Sequence, residues 1–321
     1  MGDLIHTLPA LTDAKKALPD IQFDWVAEEG FAEIPLWHPA VDKVIPIAFR
    51  RWRKNLLSSI KNSEWLDFVG TIKESEYDYI IDAQGLIKSA AVAALAKGKC
   101  HGMNAASSKE SLAAFFYSHC YGINKQAHAI ERVRWLFAKA LNYSFQEQNL
   151  DYGLSTVSFK AMKGIKPYLV FLHGTSADNK LWPQEQWQSL SQFAIAHNYR
   201  IYLPWGNEQE KARAERIAEQ SDFCHVLPKM NLTEIAGLLA NASAMVGVDT
   251  GLAHLAAALS IPGITLYIDT YPKYTGTCGE KQTCISQMQA EQSTKTTGLE
   301  VVYRQKIRAE DVWQLLKSKL E

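Results

Sequence analysis

The stretch Val248-Asp249-Thr250-Gly251-Leu252-Ala253-His254-Leu255-Ala256-Ala257-Ala258-Leu259 joins a strand end, a polar corner and a helix start in one short run. Ala244-Met245-Val246-Gly247-Val248 ahead of it has the continuous apolar character of a buried strand. Behind it, Leu252, Leu255, Ala256 and Leu259 recur at helical spacing. Asp249-Thr250-Gly251 therefore sits at a strand-to-helix corner. The first N–H groups of a helix lack internal partners, and the helix dipole places partial positive charge at the same end, which suits a diphosphate. Gly251 lets a ligand approach the backbone closely. The plain alternative is an Asp/Thr N-cap on an ordinary helix.

Two further strand-to-helix corners carry polar groups of the same kind. Tyr168-Leu169-Val170-Phe171-Leu172 runs into His173-Gly174-Thr175-Ser176, and Lys180-Leu181-Trp182-Pro183 leads into the next helix. Thr175 and Ser176 can hydrogen-bond phosphate oxygens, and Lys180 can neutralise a diphosphate leaving group without a metal. A lone lysine is by default a solvated surface charge. Its place after a strand favours a ligand role, because open α/β sheets bind ligands at the carboxyl ends of their strands. Arg200-Ile201-Tyr202-Leu203-Pro204 leads in turn into Trp205-Gly206, with Glu210 in the following helix. Glu210 can accept from ribose hydroxyls or serve as a helix-dipole partner. Met230, after Leu227-Pro228-Lys229, suits either a purine ring or the core.

Composition bounds the rest. The 321 residues are enough for two domains with separate cores. Lys+Arg and Asp+Glu both number 34, so global charge gives no support for a nucleic-acid partner. The five cysteines lack C-x-x-C spacing, which argues against a disulfide framework or zinc site and for a reducing compartment. No apolar run reaches the ~18–20 residues needed to span a bilayer, and no signal-peptide pattern opens the sequence.

Strands at Phe23–Ala27, Tyr79–Ala83 and Ile264–Tyr267 join those above, alternating with helical patterns as in parallel sheets. The rhythm lapses between Asn142 and Lys166, so the expected division is residues 1–155 and 156–321. Ile307 to Leu320 has the pattern of a terminal amphipathic helix. A doubly wound domain opens on an apolar strand, a Gly turn and a helix. This sequence opens on Met1-Gly2-Asp3, already in the turn, with Pro9 expected to kink or break the helix that follows. The first strand is expected to be missing, leaving two unpaired strand edges.

Met1-Gly2-Asp3-Leu4-Ile5-His6-Thr7-Leu8-Pro9-Ala10, Ile81-Asp82-Ala83-Gln84-Gly85-Leu86, the Lys180–Pro183 region and Val248–His254, in that order, resemble the lipopolysaccharide heptosyltransferases of glycosyltransferase family 9. The resemblance covers essentially the whole chain. It implies a GT-B fold, with two Rossmann-like domains facing across a cleft. It also implies inverting transfer of heptose from ADP-L-glycero-D-manno-heptose to the Kdo of Kdo2-lipid A, by an enzyme peripheral at the cytoplasmic face of the inner membrane. ADP-heptose is then the donor substrate, and neither cofactor nor metal is expected.

The same resemblance implies individual roles. Asp3 matches the general base, where the bare residues suggest only an N-cap. Lys180 matches the phosphate lysine, and Asp249, Thr250, Gly251 and His254 match the diphosphate loop, although His254 is equally placed to be a core histidine. Glu210 and Met230 match the ribose and adenine positions. Arg50, Arg51, Arg53 and Lys54, flanking Trp52, fit the acceptor-binding segment. Lys109 stands where relatives carry arginine, which keeps the charge and loses the bidentate fork.

Two departures stand out. Tyr267-Ile268-Asp269-Thr270-Tyr271-Pro272 replaces a Gly-Pro-Thr turn, and the strand and Ser/Thr loop that family members place ahead of Met-Gly-Asp are absent. The second suggests a late-assigned start codon or a truncated product. The competing readings are a non-catalytic remnant that still binds ADP-sugars, and the second heptosyltransferase of the pathway, acting on a heptosylated acceptor.

Overall fold

The computed structural model describes residues 1–54, 63–156, 159, 167–219, 221–289 and 296–320. The chain forms two compact units, one of Met1–Ile5 with Gln148–Glu321 and one of His6–Glu147. The division at Glu147/Gln148 falls ahead of the link expected near residue 155.

The larger unit is built on a seven-stranded sheet. Its strands are β6 (Tyr168–Leu172), β7 (Arg200–Leu203), β8 (Cys224–Val226), β9 (Ala244–Val248), β10 (Gly263–Tyr267), β11 (Gln282–Ser286) and β12 (Val301–Tyr303), in the spatial order β12-β11-β10-β9-β6-β7-β8. Every pairing is parallel. All residues of β6, β9, β10 and β11 are buried, which explains the continuous apolar runs of β6 and β9: helices cover both faces. The core joins Phe171, Val246 and Leu266 of the sheet to Trp187, Leu190, Val312 and Leu316 of flanking helices. Trp182 stands edge-on to Trp187, with ring centroids 5.0 Å apart. The terminal helix runs over Ala309–Leu320, two residues inside its expected start. Strand order reverses between β9 and β6, so the loops after these two strands border a switch-point crevice.

The smaller unit carries β1 (Phe23–Glu28) and β2 (Val41–Ile47) in one parallel sheet, and β3 (Glu76–Ile81), β4 (Lys97–Met103) and β5 (His119–Tyr121) in another. Among the described residues, β1 pairs with β2 alone and β3 with β4 alone. The Tyr77 hydroxyl of β3 donates to Asp24 Oδ2 of β1 across 2.8 Å. Ala10, Leu11 and Ala14 pack on Val133, Phe137 and Leu141 of the helix Ala129–Leu141, with Trp25 and Ile81 against them. Arg134, only 1% exposed, donates to both oxygens of Asp13 at 2.6 and 3.2 Å and to the carbonyls of Gln146 and Glu147.

Pro9 neither ends nor divides the opening helix, which runs unbroken from Gly2 to Ala17. A proline inside a helix forfeits one backbone bond and costs about 3 kcal/mol. Burial of Ile5, Leu8, Ala10, Leu11 and Ala14, each at most 1% exposed, outweighs that cost.

Candidate functional site

The groups expected at the strand ends of the larger unit come together along its carboxyl edge. Leu172 lies opposite Gly247 in register, and a Cβ on Gly247 would stand 3.0 Å from the Leu172 Cβ. The two strands thus approach closely where their loops begin. The Thr175 hydroxyl donates to the Asp249 carbonyl at 3.0 Å, tying the loop after β6 to the loop after β9. Lys180 closes the short helix Asp178–Lys180, and its ammonium donates to Asp249 Oδ2 at 2.7 Å. Both side chains are largely buried, at 25% and 12% exposure. Ser176 is exposed on the same loop.

Sequence reasoning missed the remaining partners here. Thr270 donates its hydroxyl to the same Asp249 oxygen at 3.0 Å, and Asn179 donates to Asp269 Oδ2 at 2.5 Å. The turn Ile268–Pro272, which departs from the family pattern, therefore clasps the lysine loop. The available signal was a hydroxyl and a carboxylate directly after the buried strand β10.

Across β7, Asn207 caps the helix Glu208–Ala218 by accepting from the Glu210 N–H at 2.9 Å. The Glu210 carboxylate takes the Gly206 N–H at 2.7 Å and lies so close to Gly174 that a Cβ there would come within 2.6 Å of Glu210 Cδ. Glycine at 174 makes that seat. Met230 is half-buried in the loop between β8 and the helix Leu232–Ala240, outside the core. Glu210 thus follows β7, which pairs with β6, and Met230 follows β8, the next strand outward.

Thr250 caps the helix Gly251–Ala258 in extended conformation with no side-chain cap bond. Met1 lies over Gly251, its sulfur 2.6 Å from where a Cβ would be, and Gly2 lies against the His254 ring. The space that glycine leaves at 251 is thus filled by methionine. Asp3 is exposed in the first turn of the opening helix, near enough for its charge to act on His254. His254 is buried, and burial lowers its pKa to about 4 against the opposing pull of Asp249 and Asp3, so the ring is neutral at physiological pH. Burial likewise lowers His173 to about 4, helped by Arg213.

The basic segment belongs to the smaller unit, on the helix Phe49–Lys54. Arg51 is engaged there with two carboxylates, donating to Glu29 at 3.0 and 3.1 Å and to Glu64 at 2.8 and 3.0 Å. Trp52 donates to Glu64 Oε2 at 2.8 Å, and this bond, followed by Arg51, lowers the Glu64 pKa. Arg50 stacks over Phe31 at 5.1 Å while its backbone N–H meets Glu28, and Arg53 is exposed. The Lys54 side chain lies outside the described residues. Lys109 is exposed beside Glu110, whose carboxylate accepts the Ile87 N–H at 2.6 Å. Asp82 of the Asp-Ala-Gln-Gly motif supports the fold, accepting from Gln84 N–H, Ser89 and Tyr117 at 2.9, 2.8 and 2.7 Å.

Known proteins share this fold. The family described as "Glycosyltransferase family 9 (heptosyltransferase)" matches residues 65–302. A lipopolysaccharide heptosyltransferase 1 from Salmonella typhimurium is 50% identical over 284 residues, 88% of this chain and 90% of that protein. The solved structure of Escherichia coli heptosyltransferase WaaC with ADP superposes with a TM-score of 0.89 at 43% identity, covering 99% of this chain and 97% of the other. WaaC with ADP-2-deoxy-2-fluoro heptose gives 0.82 at 48% identity, covering 88% and 89%. The fold is accordingly that of the GT-B glycosyltransferases. Matched in sequence over most of its length and in structure over nearly all of it, the chain belongs to glycosyltransferase family 9, the heptosyltransferases.

Proposed function

We propose that this glycosyltransferase moves L-glycero-D-manno-heptose from ADP-heptose to the Kdo of Kdo2-lipid A, with inversion, at the cytoplasmic face of the inner membrane. The observation that carries the reading is the meeting of Thr175, Lys180 and Asp249 at the switch point of the larger sheet, beside the N-terminus of the helix Gly251–Ala258. A diphosphate binds such a place through a lysine and free helix N–H groups. The likeness to the two WaaC structures, with ADP and with a fluorinated ADP-heptose, supports the donor assignment.

In this mechanism Asp3 takes the proton from the acceptor hydroxyl as its oxygen attacks the anomeric carbon. The bond from that carbon to the diphosphate breaks, and ADP leaves with the electron pair. Lys180 and the helix N-terminus stabilise the charge that develops on the departing phosphate. Glu210 holds the ribose through the carboxylate oxygen not engaged by Gly206, and Met230 lies under the adenine. Thr250, Gly251 and His254 shape the diphosphate loop, Ser176 lends a hydroxyl to it, and Arg50, Arg53, Lys54 and Lys109 receive the anionic acceptor. The reaction needs no divalent metal, since lysine and helix supply the positive charge.

Incubation of the purified chain with ADP-heptose and Kdo2-lipid A, in EDTA, tests this. Release of ADP matched by an acceptor heavier by one heptose is the expected result. Transfer only to an already heptosylated acceptor, or only with added magnesium, overturns the corresponding part.

A further inference from the structure

The short helix Ser111–Phe116 carries an apolar edge that the fold holds outward. At three residues per turn Leu112 and Phe115 stand one above the other, and they are 58% and 85% exposed. Phe116 and Ile87 add to the outward surface at 40% and 39%. The inner side is firmly anchored. Ala113 is fully buried, Tyr117 packs on the backbone at Gly102, and the Tyr117 hydroxyl donates to Asp82 at 2.7 Å. The same carboxylate holds Ser89 in the helix Ile87–Ala93, so both helices that bear the exposed side chains share one support. The exposed Glu110 is engaged by the Ile87 N–H, and the exposed lysines Lys88 and Lys109 are chain neighbours of those two residues.

We propose that this edge is a bilayer-contact element, in which Leu112 and Phe115 enter the interfacial layer of an anionic membrane while Lys88 meets lipid phosphate. An exposed apolar cluster on a folded domain marks an interaction site. Here it is four side chains on one short helix and the start of another, too few for a stable protein interface of at least ~1,200 Å². Apolar side chains beside an exposed lysine are what an anionic interface recognises. The inference rests on the reading of a lipid-linked acceptor only for its purpose, since the contact needs no acceptor.

The test is co-sedimentation of the full chain with vesicles of phosphatidylglycerol and phosphatidylcholine, and with phosphatidylcholine alone. The double variant Leu112→Ser/Phe115→Ser is compared in thermal unfolding and in transfer to a soluble, deacylated Kdo acceptor. The parent should partition onto the anionic vesicles, and the double variant about tenfold less, with unchanged unfolding and unchanged transfer to the soluble acceptor. Equal partition of parent and variant, no partition of the parent, or equal binding to both vesicle types overturns the proposal. So does loss of soluble-acceptor transfer in the variant, which would place the edge in the acceptor site. A parent that binds vesicles but transfers no heptose to the soluble acceptor refutes the enzymatic reading and leaves the membrane contact standing.

Discussion

Lys180 Nζ lies 2.7 Å from Asp249 Oδ2, so the carboxylate fixes where the ammonium points. If the proposed function holds, a diphosphate competes with Asp249 for that ammonium. Lys180→Ala should lower turnover by about 10²- to 10³-fold, the usual cost of removing one preorganised donor at a developing anion. Asp249→Asn frees the lysine but misplaces it, and should lower kcat more than it weakens ADP binding. Single-turnover rates alongside ADP titrations separate the two; parent-like kinetics in Lys180→Ala would remove that residue from the mechanism.

Asp3→Asn should retain donor affinity and lose about 10²- to 10⁴-fold in rate, the range of a positioned acid–base group. The asparagine keeps the size and the helix position of the carboxylate, so unfolding should be unchanged. An unaltered rate at saturating substrates would exclude Asp3 as the base.

The four cations of the basic segment should differ. Arg53 is exposed, and Arg53→Ala should raise the acceptor KM several-fold, about 3- to 10-fold, with ADP affinity untouched. Arg51 is held by Glu29 and Glu64, so Arg51→Ala should chiefly loosen the helix Phe49–Lys54, seen as faster amide exchange there. Equal KM effects from both would mean that Arg51 leaves its carboxylates for the acceptor.

Arg134→Met should destabilise the smaller unit by about 3–5 kcal/mol, because it strands the buried Asp13 carboxylate and two carbonyls that the guanidinium now satisfies. Thermal unfolding reads the loss. A change below about 1 kcal/mol would show that water replaces the guanidinium.

His173 and His254 have folded pKa values near 4, below the 6.5 of a free histidine. The unfolded chain therefore binds protons that the folded chain refuses between those values. Stability is complete above about pH 6.5 and falls as pH drops toward 4, by roughly 3 kcal/mol for His173 alone. Urea unfolding at pH 7.5, 6 and 5 checks the direction, and His173→Gln should flatten the slope.

The larger unit was legible because central parallel strands, covered on both faces, must be apolar throughout, and Tyr168–Leu172 and Ala244–Val248 have the bounds the sequence suggests. Strand Tyr79–Ala83 proved to be Glu76–Ile81, since Asp82 turns the chain by capping the N–H groups of Gln84 and Gly85. The hydroxyl of Thr270 and the amide of Asn179 were invisible because each partner lies far along the chain, 21 and 90 positions away. Arg51 looked like free charge for the same reason: Glu29 and Glu64 are distant in sequence and adjacent in space. Pro9 does not break its helix because propensity is local, whereas the burial that overrides it belongs to the whole unit.

Because β6 lies between β9 and β7, its two sides are closed by contacts of very different separation along the chain. β6, β7 and β8 are consecutive in the chain and can assemble through short-range contacts, which brings Gly174 up to Glu210. Thr175 and Asp249, by contrast, are 74 positions apart and meet only when β9 docks on the far side of β6. Closures over such separations come late and slowly. The side of the crevice proposed to receive the ribose therefore rests on shorter-range contacts than the side proposed to grip the diphosphate. ADP would bind tightly only to a molecule whose longest-range pairing is finished, which makes the nucleotide a chemical witness to the last step of refolding.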